Sequence, residues 1–239
     1  MSEVVIYLGP SLAIEVAKST LPIAEYRPPI RRGDLLYDLS AFRLVGIIDG
    51  EFTPMISPKE VLQALVRGAT VLGASGLGAL RAAELHLYGV VGIGTIFQWF
   101  NSGYLQNDDA VAVAYNPQTF QRLSEPLVNI VYALSRATED GVIQSEEKDE
   151  LISVSRNTYY PDRTYSHLFA NAVGRISADK LTALQHYISR HDFDLQQRDA
   201  ILLLKSIPYY LAHPPDLSKS IAIHGMDFRR FRRLPGLHE

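Results

Sequence analysis

The sequence predicts an α/β fold, an open, doubly wound, mainly parallel and Rossmann-like sheet that is followed by an all-helical C-terminal region. In the first half, short apolar runs alternate with helical patterns, and this alternation is typical of parallel sheets with helices on both faces. From Ser124 onward, apolar residues recur with the 3.6-residue period of helices. We place a boundary near residue 125, with a core over 1–125, a helical region over 126–225 and a basic tail over 226–239.

Five strands are predicted in the first half: short apolar runs give 4–8, 44–48, 69–72 and 110–115, and a weaker pattern gives 24–26. Helices are predicted between them over 12–19, around 34–39, from 58 to before Gly68, and over 77–87. The third of these has the clearest signals in the chain. Ser57 is a candidate N-cap, Pro58 occupies the first helical position, and Glu60 completes a capping box.

The second half carries only helical patterns. One apolar stripe, formed by Leu127, Ile130, Val131 and Leu134, ends at Asp140 and Gly141. Ser145 and Ser177 are candidate caps for further helices, and a last helix is expected to end before Pro208. The tail holds Phe228-Arg229-Arg230-Phe231-Arg232-Arg233, which is either a solvated terminus or a docking element.

Composition narrows the classes of function. The net charge of -3 gives no overall field that favours nucleic acid or an anionic membrane, so neither is an expected partner. No apolar run is long enough to span a bilayer, and we expect neither an anchor nor a secretory signal, hence a cytoplasmic location. The chain has no cysteine, which excludes disulfides, thiolate zinc sites and a cysteine nucleophile. Any sulfur chemistry must therefore use sulfur from another molecule.

Three loops are expected to meet at one edge of the predicted sheet. In a parallel sheet with right-handed crossovers, the loop after each strand emerges on the same edge, and ligands bind where the strand order reverses. The loops over 9–11, 49–51 and 73–78 follow the first, third and fourth strands. They offer hydroxyls, carboxylates and glycines: Ser11, Ser75, Asp49, Glu51, Gly76 and Gly78.

Two further features of this edge are suited to an anion. Arg27, Arg31 and Arg32 follow the second predicted strand and can hold a carboxylate or phosphate with forked hydrogen bonds. The glycine turn can present N–H groups and the positive end of the following helix to an anion or a developing oxyanion. The sequence therefore predicts an anion-binding site at the sheet edge.

Each of these features also has a purely structural interpretation. Glycines before a helix often serve only tight packing, Ser11 can cap the first helix, and Asp49 with Gly50 forms a common turn dipeptide. Arg81 and Glu84 lie one helical turn apart and can pair at the surface. The three arginines can equally lie in a solvated loop.

Several known motifs are absent from the chain. The glycine turn begins like a dinucleotide fingerprint but ends in Arg81 and follows the fourth predicted strand. No Walker lysine follows it, and residues 73–77 lack the final glycine of a nucleophile elbow. The seven histidines are scattered without metal-ligand spacing. We therefore expect no metal site and no cofactor.

Four segments occur together in order, and their combination resembles the TfuA-like protein family. They are Gly9-Pro10-Ser11, residues 25–35, residues 48–52 and residues 78–85. Residues 160–165 and Arg198-Asp199-Ala200 resemble weaker features of the helical half of that family. One departure is Gly76, where relatives often carry a second serine.

The resemblance implies a partner of YcaO enzymes in the biosynthesis of ribosomal peptide natural products (RiPPs), among them antibiotics, and notably in thioamidation, the replacement of a backbone amide oxygen by sulfur. The YcaO enzyme uses ATP to activate the amide as a phosphorylated hemiorthoamide. The resemblance further implies that the chain recruits a ubiquitin-like sulfur-carrier protein, hydrolyses its C-terminal glycine thiocarboxylate to sulfide, and stimulates its partner. The precursor peptide is a further expected partner.

Under this interpretation the expected catalytic residues are Asp49, Glu51 and Ser75. Water or a serine attacks the thiocarboxylate carbon, N–H groups near residues 76–78 stabilise the oxyanion, and Asp49 or Glu51 is the general base. The expected substrate-binding residues are Ser11, Arg27, Arg31, Arg32, Asp34, Gly76, Gly78, Arg81 and Glu84.

Two other functions stay open at this point. In one, the same crevice binds the carrier tail or a nucleotide without catalysis, and the protein is an adaptor that activates the YcaO enzyme. In the other, the chain is a free-standing hydrolase or transferase for a small nucleotide or sugar, which rests on fold analogy alone.

Overall fold

The computed structural model describes residues 2–36 and 42–217. The described residues divide into two compact units, one made of those up to residue 104 and from residue 199 onward and the other of residues 105–198.

The first unit contains a sheet of five parallel strands in the order β2-β1-β3-β4-β5. The strands are β1 (Val4–Tyr7), β2 (Glu25–Arg27), β3 (Leu44–Ile47), β4 (Thr70–Gly73) and β5 (Val91–Gly92). The strand order reverses between β1 and β3, which lie side by side with Tyr7 opposite Ile47. The predicted fold class is confirmed, and β1 to β4 fall within a residue of the predicted runs.

Helices cover both faces of this sheet because successive strand residues point to opposite sides. Val5, Val45 and Val71 face α2 (Pro58–Val66) and α3 (Leu77–Leu85), while Ile6 and Leu72 pack with α1 (Ile14–Thr20) and with residues 200–207 of α9 (Leu195–Ala212). Fully burying one such aliphatic side chain contributes about 1.5–3 kcal/mol. The sheet is thus held between two apolar layers.

The capping box predicted at the start of α2 is confirmed. The Glu60 N–H donates to Ser57 Oγ, and the Ser57 N–H donates to the Glu60 carboxylate. The other oxygen of that carboxylate accepts from the Gly33 N–H at 2.6 Å. Glu60 therefore also ties the loop after β2 to α2.

The second unit contains α5 (Leu127–Glu139), α6 (Ser145–Arg156), α7 (Tyr165–Ala172), α8 (Ala178–Arg190) and the start of α9. α5 ends at Asp140 and Gly141 as predicted. Ser177 is the N-cap of α8, although its side chain makes no capping bond. Ser145 is instead the first residue of α6, and Gln144 caps that helix together with Glu147.

Three sequence-based predictions are wrong. Residues 110–115 do not form a strand, because Asp108–Val111 is a 3-10 helix with buried Ala110 and Val111, and a short buried run does not reveal its own period. The fifth strand is β5, whose two residues are too few to show any pattern. α9 continues through Pro208 to Ala212, since a proline in a helix removes one hydrogen bond without always ending the helix.

Two predictions fall partly or wholly outside the described residues. Residues 32–36 form turns, whereas the rest of the helix predicted around 34–39 lies outside, as does the basic tail over 226–239. Among residues 2–36 and 42–217, no helix combines the length and the apolar character that crossing a membrane requires.

Candidate functional site

Asp49 lies where the strand order reverses and connects the loops after β1 and β3. The residue is 5% exposed. Oδ2 accepts from the Gly9 N–H at 2.8 Å and the Ser11 N–H at 3.1 Å, and Oδ1 accepts from the Ser11 hydroxyl at 2.6 Å. Hydrogen bonds of this kind to an ionised group are strong because the charge strengthens them. The predicted meeting of Ser11 and Asp49 at the sheet edge is therefore observed.

The loop after β2 crosses the end of β1 to reach the same place. The Ile30 N–H donates to the Asp49 carbonyl at 3.0 Å, and the Glu51 N–H donates to the Ile30 carbonyl at 2.9 Å. This pairing brings Arg31 beside Glu51, and their side chains form an ion pair at 3.2 Å. The Arg31 N–H also donates to the Asp34 carboxylate at 2.7 Å. Two of the predicted binding residues, Arg31 and Asp34, thus lie in the segment that pairs with residues 49–51 through Ile30.

The turn between β4 and α3 packs against Asp49. A Cβ atom added at Gly76 would lie 2.9 Å from Asp49 Oδ1 and 3.7 Å from Ser11 Oγ. A Cβ at Gly78 would overlap the Ile47 carbonyl. These glycines therefore have a packing role, because only a bare backbone allows β3, β4 and α3 to approach so closely.

The N–H groups predicted to stabilise an oxyanion are in part already bonded. Those of Gly76 and Gly78 both donate to the Ile48 carbonyl, at 3.2 Å and 3.3 Å. Both donors point toward the end of β3. Gly78 packs so closely on Ile47 that no ligand fits between the turn and β3. The proposed oxyanion role for these two groups is corrected accordingly.

Ser75 is the unusual residue of this turn. Its φ is 65°, in the left-handed region that side chains other than glycine rarely adopt. It is fully buried, and its hydroxyl has no hydrogen-bond partner among the described residues. A strained backbone and an unsatisfied buried hydroxyl are each costly, and such features concentrate at functional sites.

The other predicted arginines differ in what they contact. Arg27 is half-buried, pairs with Glu25 at 2.7 Å and lies over the Phe42 ring at 5.1 Å. The side chain of Arg32 is exposed, while its N–H donates to the Pro54 carbonyl. Arg27 is therefore held within the unit, and Arg32 faces solvent near the edge.

Arg81 is not a surface residue, although its spacing from Glu84 fits a surface pair. It is 6% exposed, and its Nε donates to the Ile56 carbonyl at 3.0 Å. Its remaining donors contact Met55 and Glu84. The Arg81 side chain therefore fixes the segment before α2, and its hydrogen bonds do not reach Asp49.

Asp199 was not predicted as a site residue, yet it holds the start of the helix that follows β5. Its carboxylate accepts from the Thr95 and Ile96 N–H groups, at 3.0 Å and 2.8 Å, and so caps α4 (Gly94–Asn101). Burial raises the pKa of Asp199 to about 6, although both backbone hydrogen bonds act in the opposite direction. No local spacing reveals this role, since the partners are more than a hundred positions apart.

A comparison with protein-family models identifies the region that holds most of these residues. Residues 49–164 match the model described as TfuA-like protein. Residues 49–164 therefore belong to the TfuA-like protein family. The match covers just under half of the chain.

The TfuA-like region includes the three predicted catalytic residues, Asp49, Glu51 and Ser75, and the whole β4–α3 turn. The matched region begins after Ser11 and after the loop that carries Arg31. The structure nevertheless brings Ser11 into contact with Asp49. At the level of the family, the match supports a role in a YcaO-associated modification system. No curated protein matches the chain. Within the described residues, no cluster of three or more histidines and carboxylates is arranged to hold a metal ion.

Proposed function

We propose that this TfuA-like protein supplies sulfur to a YcaO enzyme that thioamidates ribosomal peptides, by hydrolysing the C-terminal thiocarboxylate of a ubiquitin-like sulfur carrier. The observation that carries the proposal is the junction of the loops after β1, β3 and β4, where Ser11 Oγ lies 2.6 Å from Asp49 Oδ1 and Gly76 packs against both. The match to the TfuA-like family supports it.

A carrier tail that ends in a thiocarboxylate is extended, glycine-rich and anionic. Arg31 and Arg32 are exposed at the edge and provide cations for its terminus. Glu51 is partly exposed beside Arg31 and is the carboxylate closer to solvent, whereas Asp49 is nearly buried. We assign Arg31 and Arg32 to binding of the anionic terminus, with Arg31 exchanging Glu51 for the substrate.

Hydrolysis requires an attacking oxygen and an acceptor for its proton. The attacking group is water or the Ser75 hydroxyl, and Glu51 or Asp49 accepts the proton. Three donors already occupy much of the Asp49 carboxylate, which has about four lone-pair sites. This favours Glu51 over Asp49 as proton acceptor and gives Asp49 the role of holding the loops together.

The experiment mixes purified protein with thiocarboxylated carrier and measures released sulfide. The double variant Asp49→Ala, Ser75→Ala is expected to release sulfide no faster than carrier alone. The matched control is Asp149→Ala, Ser153→Ala, which changes the same residue types at exposed positions of α6 and is expected to behave as wild type. Unchanged release from a folded Asp49→Ala, Ser75→Ala protein would remove both residues from the mechanism.

A non-catalytic adaptor is the second candidate, and the burial of the site favours it. Ser11, Asp49 and Ser75 are 1%, 5% and 0% exposed, so the carrier tail meets a closed edge in this conformation. In that case the edge binds the tail only and presents it to the YcaO enzyme. Sulfide release in the absence of YcaO separates the two functions, because an adaptor binds carrier without releasing sulfide.

A further inference from the structure

The backbone at Ser75 adopts a conformation that must be maintained against strain. Within the described residues, Ser75 and Phe120 are the two non-glycine positions with positive φ. The next residue is Gly76, so the chain has a serine at the strained position and a glycine beside it. Residues in this region persist only where the surrounding structure imposes them, and they cluster at active sites.

The Ser75 hydroxyl also differs from other buried serine hydroxyls in the chain. Ser11 Oγ donates to Asp49, Ser155 Oγ donates to the Leu151 carbonyl, and Ser124 Oγ accepts from the Ala114 N–H. Ser75 Oγ is equally buried but has no such partner among the described residues. A buried hydroxyl without a partner lowers the stability of the fold, so a structural role does not account for it.

The position of Ser75 supplies the third observation. It lies in the turn that leads from β4 into the nine-residue helix α3. On one side, a Cβ at Gly73 would overlap the Gly78 carbonyl oxygen, and on the other, Gly78 packs against Ile47. A serine with positive φ in a tight turn from strand to helix, flanked by small residues, shares the backbone geometry of a nucleophile elbow, although the hydroxyl of an elbow is exposed and that of Ser75 is buried here. The sequence motif did not match, because its final glycine is expected at position 77, where this chain has leucine, and the glycine is at position 78.

We propose that Ser75 is the nucleophile and that the carrier passes through an ester on Ser75 Oγ, an inference that rests on the proposed function. Oγ attacks the thiocarboxylate carbon, the C–O bond forms, and the C–S bond breaks. The serine proton leaves with the sulfur as hydrosulfide, so the thiocarboxylate and the serine yield one ester and one HS⁻. Water then hydrolyses the ester to the carrier carboxylate and restores Ser75, and Glu51 accepts the proton of the water and passes it to solvent.

This sequence of steps makes no use of Asp49 as a base, because the substrate sulfur takes the proton of the first step. It also explains why a hydroxyl without a hydrogen-bond partner is kept in a closed turn. The loops at the edge must open for the carrier tail to reach Oγ, since Ser75 is fully buried.

Two stability measurements separate a nucleophile from a structural serine. Ser75→Ala is expected to fold with an unchanged or higher melting temperature, because it removes only an unsatisfied hydroxyl. Ser75→Gly is expected to melt higher than wild type, because glycine adopts a positive φ without strain. A clearly lowered melting temperature in Ser75→Ala would mean that the hydroxyl has a structural partner and would overturn the proposal.

The closing experiment is a single turnover with thiocarboxylated carrier, quenched in acid and analysed by intact mass, with hydroxylamine added in a parallel reaction. Wild type and the control Ser155→Ala are expected to form a carrier ester, or carrier hydroxamate in the hydroxylamine reaction. Ser75→Ala is expected to form neither and to lose at least 100-fold in sulfide release. Full sulfide release by Ser75→Ala without ester or hydroxamate would overturn the ester at Ser75 while leaving the proposed function intact.

If wild type itself released no sulfide, the proposed function would fail, and a fluorophosphonate probe would still test the nucleophile. Labelling of wild type and Ser155→Ala but not of Ser75→Ala supports a nucleophilic Ser75 with another acyl substrate. No labelling at Ser75 in that case overturns it.

Discussion

The hydroxyl of Ser11 donates a 2.6 Å hydrogen bond to Asp49 Oδ1 across the point where the strand order reverses. The Ser11 N–H donates to the other oxygen of the same carboxylate. A single residue after β1 thus contacts both oxygens of an acid after β3. The two loops are held in one geometry, which positions the neighbouring β4–α3 turn.

Removing the Ser11 hydroxyl is expected to lower the free energy of unfolding. A hydrogen bond to a charged group contributes about 1.5–3 kcal/mol, so Ser11→Ala should cost an amount in that range. The control is Ser19→Ala, because the Ser19 hydroxyl is exposed and donates to the Val16 carbonyl. Its free energy of unfolding should be within about 0.5 kcal/mol of the wild-type value. Urea unfolding of both variants measures the difference, and equal stability of the two would contradict the role given to Ser11.

Gly78→Ala is expected to be much more disruptive than an alanine at a surface glycine. Its Cβ would overlap the backbone carbonyl of Ile47, which cannot move without displacing β3. Overpacking typically costs about 1–3 kcal/mol, and we expect a loss above that range because the clash is with backbone atoms and not with a flexible side chain. Gly141 has a positive φ but open space around it, so Gly141→Ala should cost about 1–2 kcal/mol from backbone strain alone. Thermal unfolding compares them, and a Gly78→Ala protein as stable as Gly141→Ala would contradict the close packing.

Much of the fold, and part of the site, follows from local patterns. The strands β1, β3 and β4 were predictable because each is a buried apolar run, whereas β2 is polar and only partly buried. The capping box at Ser57 and Glu60 is a short-range hydrogen-bond pattern. The meeting of Ser11 with Asp49 followed from the rule that loops after parallel strands share an edge.

The rest depends on contacts between distant segments, which no local pattern encodes. Arg81 has the spacing of a surface pair with Glu84, but its guanidinium is drawn inward by the Ile56 carbonyl. Asp199 reaches α4 from the other end of the chain. The sequence predicts that the N–H groups of Gly76 and Gly78 bind an anion. Both groups instead donate to the Ile48 carbonyl, because the turn packs on β3.

Arg163, in the segment that resembles the helical half of the family, is expected to be essential for stability. It is 1% exposed and donates to the carbonyls of Ser155, Thr158 and Asp109 and to the Asp109 carboxylate. Arg163→Met leaves the three carbonyls without this donor, and since each buried polar group left unsatisfied costs about 1–3 kcal/mol, the variant should lose about 3 kcal/mol or more. The Asp109 carboxylate is 41% exposed and can be solvated by water.

The matched control is Arg175→Met, which removes an exposed ion pair with Glu150 and should cost no more than about 1 kcal/mol. Denaturant unfolding of the two variants is the measurement. A loss in Arg163→Met as small as that in Arg175→Met would show that the buried network adds little.

Asp199 is expected to make the stability depend on pH. Burial raises the pKa of Asp199 from 3.8 to about 6 in the folded state, so the folded protein binds the proton more tightly than the unfolded chain. The stabilisation from the protonated form is fully present below pH 3.8 and is lost as the pH rises through about 6. At about 1.4 kcal/mol per pKa unit, the loss relative to a non-titrating variant is about 3 kcal/mol.

Asp199→Asn is the non-titrating variant, since its amide oxygen can still accept a hydrogen bond from the start of α4. The difference in unfolding free energy between wild type and Asp199→Asn should shift in favour of the variant between pH 4 and pH 7. Chemical denaturation across that range measures it. A difference that does not change with pH would show that Asp199 keeps an ordinary affinity for its proton.

The most direct test of the whole account is the rate at which the purified chain alone liberates sulfide from an excess of thiocarboxylated carrier, with neither YcaO enzyme nor ATP present. We expect many turnovers by wild type and loss of this activity in Ser75→Ala. A wild-type rate equal to the spontaneous decay of the carrier would contradict it.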